Sequence, residues 1–425
     1  MRRLVTITGN PAGWESVRPD CVTLRTVRRT PPSSLCRKFL GRCPIGLAIL
    51  ALSLCVVAQD DPAAIEKQVE ALRKAGRISE TTPLLERLLA IEQEGAGENS
   101  ERLVPLLDQL GRVAIAESRF DRAGELYARA LTITESAQGK SAPALIPILI
   151  STAKMRQMAG EFGEAEGALL RAIAVRIQAS GPQSADIAAD YLLLARLYSA
   201  QKKFTQATGV FGWALDLLEK LHGADDPRLL PALDGIASAA RENEESERAL
   251  VALDRAIGIR QLSLGPAHPD LAQTLDSAGN LLYALKRFAE AEALYARSLQ
   301  IWVKTLGPSH PMIATSFDNL AVALAAQGKF AKAEEAYRQS LSIRDEQNAA
   351  SLRNLALVLA AQEKWADAEP YFKRALATLS EPSKAQAAVL VEYAETLEKL
   401  NRKVEAARLR ARARKVEAGL KARGD

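Results

Sequence analysis

Beyond residue 58 the chain has no cysteine, since Cys21, Cys36, Cys43 and Cys55 all precede that point. A thiol metal site, a redox dithiol and a disulfide framework are therefore excluded from the body. Histidine is almost as scarce, with His222, His268 and His310 the only three in 425 residues. No Ser/His/Asp, Cys/His or zinc constellation emerges from so few groups, and the expectation is a protein without catalytic residues, bound metal or cofactor. Aromatics are held to 5%, and no segment reads as a series of alternating strands.

The body also lacks a charge imbalance. The formal net charge is +5, but residues 1–58 hold nine Lys/Arg against only Glu15 and Asp20. The remainder carries 47 basic and 49 acidic residues, close to neutral. A nucleic-acid surface needs clustered cations on the folded face, so nucleic acid is not an expected partner. What is abundant is Ala, Leu, Glu, Arg and Lys, the strong helix formers, which points to an all-α fold.

Residues 1–34 are Arg-rich, contain "TPPSS" and show no helical period, and are read as a disordered or non-native extension. Residues 35–58 have the parts of a secretory signal: Arg37, Lys38 and Arg42, an apolar run from Ile45 to Val57, and small residues ending at Ala58. The run is shorter than the ~20 residues that span a bilayer as a helix. Cleavage near Ala58, with export to the periplasm or cell envelope, is the first reading; a membrane anchor through residues 45–57 is the alternative. A lipid anchor on Cys55 is disfavoured because Leu54 stands where such signals carry a small residue.

The phrases "LGPAHPDLA" at Leu264 and "LGPSHPMIA" at Leu306 open on a longer pattern. Glycines recur every 42 residues at Gly97, Gly139, Gly181, Gly223, Gly265 and Gly307. Small residues keep the same period at Gly111, Ala153, Ala195, Ala237, Gly279 and Ala321, and again at Ala123, Ala165, Ala207, Ala249, Ala291 and Ala333. A fourth series, Ala130 to Ser340, is preceded three residues earlier by Tyr127, Leu169, Phe211, Leu253, Tyr295 and Tyr337. Small residues allow close helix approach and the large one fills the remaining gap, so each unit is a helical hairpin. In "NLAVALAAQGKFAKAEEAYRQSL" the first helix ends near Gln327, Gly328 turns the chain, and the second starts near Phe330. One hairpin cannot bury its apolar faces alone; units must stack.

His268 and His310 fall in the series Ser100, Ala142, Ser184 and Asp226, with Pro227, Pro269 and Pro311 next in sequence. Ser and Asp are favoured helix N-caps, and proline is best tolerated at the first helical position, so the histidines read as caps. "GKS" at Gly139–Ser141 is not a phosphate loop, because Thr134 stands where the leading glycine belongs and no strand precedes it.

In "YALKRFAEAEALYARSLQIWVKTLGPSHP" and "LAAQGKFAKAEEAYRQSLSIRDEQ" the chain resembles the tetratricopeptide repeat family, in its 42-residue form typical of kinesin light chains. The resemblance spans about residues 62–420. It implies a right-handed α-solenoid of about nine antiparallel helix pairs. Residues 59–97 are a degenerate capping unit, with Val69, Thr81 and Leu88 at small positions and Pro83 delaying the second helix. Residues 98–346 hold six 42-residue units, 347–383 a shorter unit, and 384–425 a last unit with a basic capping helix in which Arg410 replaces an aromatic.

Family resemblance further implies that the first helix of each pair lines a concave surface where peptide segments dock. On that helix Asp108, Asp234, Asp276 and Asp318 share one phase, and Arg112, Lys154, Arg196, Ser238, Asn280 and Val322 lie four residues on. Two readings stand: a solvated face with local pairs such as Asp108–Arg112, or a polarised groove. In the second, acidic segments go to Arg112, Lys154 and Arg196 and basic ones to Asp234, Asp276 and Asp318. Asn319 and Asn354 occupy the family's backbone-holding asparagine position; Gln109, Ser151, Leu193, Gly235, Ser277 and Glu392 depart from it. The resulting expectation is a non-enzymatic scaffold for protein or peptide partners. A membrane-tethered assembly platform is the alternative, and an enzyme comes third.

Overall fold

The computed structural model describes residues 61–344, 348–379 and 381–423. The extension and leader, with every reading placed on them, lie outside these residues. The described chain is all helical and divides at Leu217/Leu218 into two compact bodies. The first contains α1 (Pro62–Lys74), α2 (Thr82–Ala96), α3 (Val104–Ala116), α4 (Phe120–Gln138), α5 (Leu145–Met158), α6 (Phe162–Ser180), α7 (Ala185–Ala200) and most of α8 (Phe204–His222). The second contains the end of α8, α9 (Leu230–Glu242), α10 (Ser246–Leu264), α11 (Pro269–Ala284), α12 (Phe288–Leu306), α13 (Pro311–Ala326) and α14 (Phe330–Ile343). It continues through α15 (Ala349–Ala361), α16 (Trp365–Thr378), α17 (Lys384–Lys399) and α18 (Lys403–Arg423). Each body is a stack of helix pairs, and the described chain forms an all-α solenoid of nine such pairs.

The 42-residue glycines have a backbone reason. Gly97, Gly139, Gly181, Gly265 and Gly307 end the second helices with φ between 76° and 91° and ψ between 158° and 169°. That corner of conformational space is essentially closed to residues with a Cβ. Three residues later comes the cap: His268 and His310 accept the N–H of Asp270 and Met312 on Nδ1, each at 3.1 Å. Asp226 accepts from Arg228 at 2.8 Å and Ser100 from Arg102 at 3.3 Å, so the histidines hold the capping position the series assigned them.

The turn inside each pair is closed by paired bonds such as Arg119 N–H to Ala114 O at 2.8 Å and Ser118 N–H to Ile115 O at 2.9 Å. The residue at the bend is left-handed. Glycine fills it at Gly76, Gly160 and Gly328, but Ser118, Lys202, Glu244, Lys286, Glu363 and Asn401 also adopt φ of 57° to 63°.

Packing within a pair follows the small-and-large rule. A Cβ added at Gly111 would lie 2.6 Å from the Tyr127 ring, and one at Gly279 would lie 2.7 Å from Tyr295. Both tyrosines are fully buried. Pro83 sits at the start of α2, and a short 3-10 turn, Ile78–Thr81, replaces the helical turn other second helices have there. At the far end α14 and α16 are 14 residues long, against 19 for α4, α6, α10 and α12, which accounts for the contracted spacing.

Successive pairs are tied by an arginine series with the same 42-residue period. Arg129, Arg171 and Arg255 on second helices donate to the carbonyls of Glu98, Lys140 and Ala224, each just past the preceding glycine. Arg171 and Arg255 also pair with Glu135 and Glu219 of the preceding second helix at 2.6 and 2.8 Å. The first helices also meet each other: α3 touches α5, and α11, α13, α15 and α17 touch in sequence. They form the inner layer on which the candidate face lies.

Candidate peptide-binding face

The small residues of the first helices are buried against their own second helix, which turns the flanking positions toward the inner layer. In the first body this face is built from α3, α5 and α7. Asp108 pairs with Arg112 at 2.9 Å and accepts the Ser151 hydroxyl at 3.2 Å. Ile150 and Leu192 take the aspartate's place in the next two pairs and are half-buried. Lys154 and Arg196 follow one turn later, exposed and without an ion-pair or hydrogen-bond partner among the described residues. The face of α5 and α7 is thus apolar with two free cations.

In the second body the aspartates of the same phase are already engaged. Asp234 receives both arms of Arg260, at 3.0 and 2.6 Å. Asp318 pairs with Arg344 and accepts the Ser351 hydroxyl at 2.9 Å, while Arg344 also donates to Thr315 Oγ1 at 2.6 Å. Burial still raises the Asp318 carboxyl above its ordinary value, opposed by Ser340, Arg344 and Ser351.

Asp276 is the exception, because the residue 26 positions on is Trp302 and not arginine. The Trp302 indole donates to Oδ2 at 3.0 Å, while Oδ1 is buried with no donor. The nearby Ser298 hydroxyl is spent on the Ala272 carbonyl at 3.1 Å. Burial, eased by the Trp302 bond, pushes the Asp276 carboxyl up to about 6. These three carboxylates are therefore not a row of free negative charge. Their partners lie on or just past the second helices at a constant +26 offset, and the series Arg260, Trp302, Arg344 is a signal in the sequence that pattern reading along the first helix alone overlooks.

The amide positions differ in kind. Asn280 Oδ1 accepts the Tyr295 hydroxyl at 2.7 Å, so it buttresses its own hairpin. Asn319 and Asn354 are half-buried on the inner layer. Glu392, at the same phase one pair later, takes both arms of Arg353, which links α15 to α17.

A cleft of about 400 Å³ opens between α9, α10 and α11. Asp234, Ser238, Arg241, Arg260, Gln273 and Ser277 form its polar lining, over a floor that includes Ala237, Leu253 and Leu281. It opens where Leu253 replaces the tyrosine of the packing series; in the next pair Tyr295 reaches Asn280 across the equivalent space. Among the described residues no group of three His, Cys, Asp or Glu is placed to hold a metal ion, and no helix is long and apolar enough to cross a membrane.

Models of the tetratricopeptide repeat match residues 106–141, 148–220, 270–346 and 348–380, together just over half of the chain. The chain belongs to the tetratricopeptide repeat family. Solved structures similar to this tetratricopeptide repeat protein include BtubC (BKLC) from P. vanneervenii, at 23% identity and TM-score 0.43, covering 54% of this chain and 89% of that one. A kinesin-light-chain-type repeat protein from Podosopora anserina is 23% identical with TM-score 0.42, covering 48% of this chain and 96% of its own. A tetratricopeptide repeat protein from Parabacteroides merdae is 20% identical with TM-score 0.42, over 64% and 93%. No curated protein is significantly similar in sequence. Tetratricopeptide repeat proteins generally mediate protein–protein interaction.

Proposed function

We propose that this protein is a non-enzymatic scaffold that captures acidic segments of partner proteins on the inner face of α5 and α7. The observation that carries the reading is the pair of unpartnered cations, Lys154 and Arg196, at equivalent positions of successive first helices beside Ile150 and Leu192. Of the other charged positions in these two series, Arg112 has Asp108, Asp234 has Arg260 and Asp318 has Arg344, while Asp276 is buried against the Trp302 indole. An acidic segment with apolar side chains between its carboxylates matches that arrangement in sign and polarity. A basic segment would have to displace Arg260 or Arg344 from a bidentate or networked pair, which disfavours the opposite polarity.

Export to the cell envelope is part of the proposal and rests on the basic, apolar and small-residue succession of residues 35–58. Crosslinking in intact cells, followed by the same experiment on the Lys154→Glu/Arg196→Glu protein, tests the face. Loss of an acidic crosslinked segment is expected, and an undiminished crosslink refutes it. N-terminal sequencing of the mature chain tests export, with a start near Gln59 expected and a start before Arg37 fatal to cleavage.

A further inference from the structure

The last described helix differs from α12 at several positions of its outward surface. α18 buries Ala406, Ala413 and Leu420 against α17, at spacings of two turns. Turning about the helix at roughly 100° per residue, the outward face is bounded on one edge by Lys403 and Arg414 and on the other by Arg408, Arg412 and Lys415. All five are exposed, and none has an ion-pair or hydrogen-bond partner among the described residues. Between the edges run Val404, Ala407, Ala411 and Ala418, also exposed. Of the helix's glutamates, Glu405 is engaged with Arg402 at 2.6 Å, and Glu417 lies outside the two cationic edges. A favourable helix dipole accounts for cations in the last turn only, and Lys403 and Arg408 stand well before it, while Arg412 keeps the phase of the arginine series Arg129, Arg171 and Arg255.

Comparison with α12 shows what covers the edge that carries Lys403, Ala407 and Arg414 when a further pair follows. The residues of α12 at the repeat phase of Lys403, Ala407 and Arg414 are Phe288, Glu292 and Leu299. There the next pair is in place: Glu292 receives Gln327 and Lys329, each at 2.7 Å, and Leu299 packs into the cluster containing Ile313 and Phe317. On α18 the carboxylate that received a lysine has become Ala407, and the apolar Leu299 position has become Arg414. Its charge is thus the reverse of what a further repeat of the same kind would require.

We propose that the outward face of α18 docks an acidic helix of a partner protein, lying along the Val404–Ala407–Ala411–Ala418 ridge with its carboxylates reaching the two cationic edges. Small side chains let a helix approach closely, and two flanking rows of like charge select a partner of the opposite sign. A bilayer is the poorer match, because the ridge offers no large apolar or aromatic side chains to insert.

The test uses the full chain and a fluorescently labelled synthetic helical peptide with glutamates on two edges of an alanine-rich face. Anisotropy at physiological ionic strength should show saturable binding. Neutralising one edge, with Arg408→Gln, Arg412→Gln and Lys415→Gln together, should weaken it by roughly ten-fold or more. Ala407→Trp/Ala411→Trp keeps every charge but fills the ridge, and should weaken binding to a similar degree; circular dichroism checks that α-helix content is retained. Absence of peptide binding, or binding indifferent to the ridge substitutions, overturns the proposal. So does tighter association with phosphatidylglycerol vesicles or a DNA duplex than with the peptide.

Discussion

Trp302, standing where Asp234 and Asp318 meet an arginine, makes Asp276 a carboxylate whose ionisation opposes folding. Its carboxyl is held near 6 by burial, against an ordinary value of 3.8. Between those values the folded state holds a proton that the unfolded chain releases, so stability falls as pH rises. The favourable contribution is complete below the unfolded value and is lost on passing about 6. At about 1.4 kcal/mol per unit, reduced for the side chain's residual exposure, the swing is about 2–3 kcal/mol. Asp276→Asn mimics the protonated form and should remove this dependence. The measurement is urea denaturation of wild type and variant at a series of pH values, with hydrogen exchange of α11 and α12 to localise the effect. The difference in stability, variant minus wild type, should grow by about 2–3 kcal/mol from acid to neutral pH. A difference that stays flat, or shrinks toward neutral pH, would refute the reasoning. Trp302→Arg supplies the counterion present at Asp234 and Asp318, and should remove the same loss of stability by lowering the carboxyl's pKa.

Other substitutions probe the repeat itself. Gly265→Ala forces a Cβ into the glycine-only corner at φ 88° and ψ 164° and should destabilise the second body by roughly 1–3 kcal/mol, read from the denaturation midpoint. Glu363→Gly, at φ 62°, relieves a left-handed bend and should stabilise by up to about 1 kcal/mol, seen as a raised Tm. His268→Ala removes a cap bond and should cost about 0.5–2 kcal/mol, with faster exchange of the first amides of α11. Gly279→Ala drives a methyl against the buried Tyr295 ring and should cost about 1–3 kcal/mol by overpacking.

The architecture was legible because its determinants are local and repeated. Gly265 is required by its own φ and ψ, His268 by the amide two residues on, and Gly279 by a tyrosine 16 residues away. Each recurs at a period that pattern reading detects. The inner face was legible only in part. Lys154 and Arg196 were found by phase along the first helices, and they are exposed there. Asp234 and Asp318 were found the same way, yet their charges are cancelled by Arg260 and Arg344 on or just past the second helices. Arg176 shows that even the offset is not constant in meaning, since it turns forward to Asp190 and Asp186 on α7.

By itself, then, the sequence determined the helix pairs, their caps, their turns and the order in which they stack. Those follow from backbone geometry and side-chain volume within tens of residues. Only the tertiary structure decided which charges remain available. Whether a carboxylate is free, paired or buried depends on what the neighbouring helix brings within about 3 Å of it, and a hydrogen bond or ion pair is lost over a shift no linear pattern records. Lys154, Arg196 and the outward edges of α18 are left open by that packing, while Asp234, Asp276 and Asp318 are consumed by it.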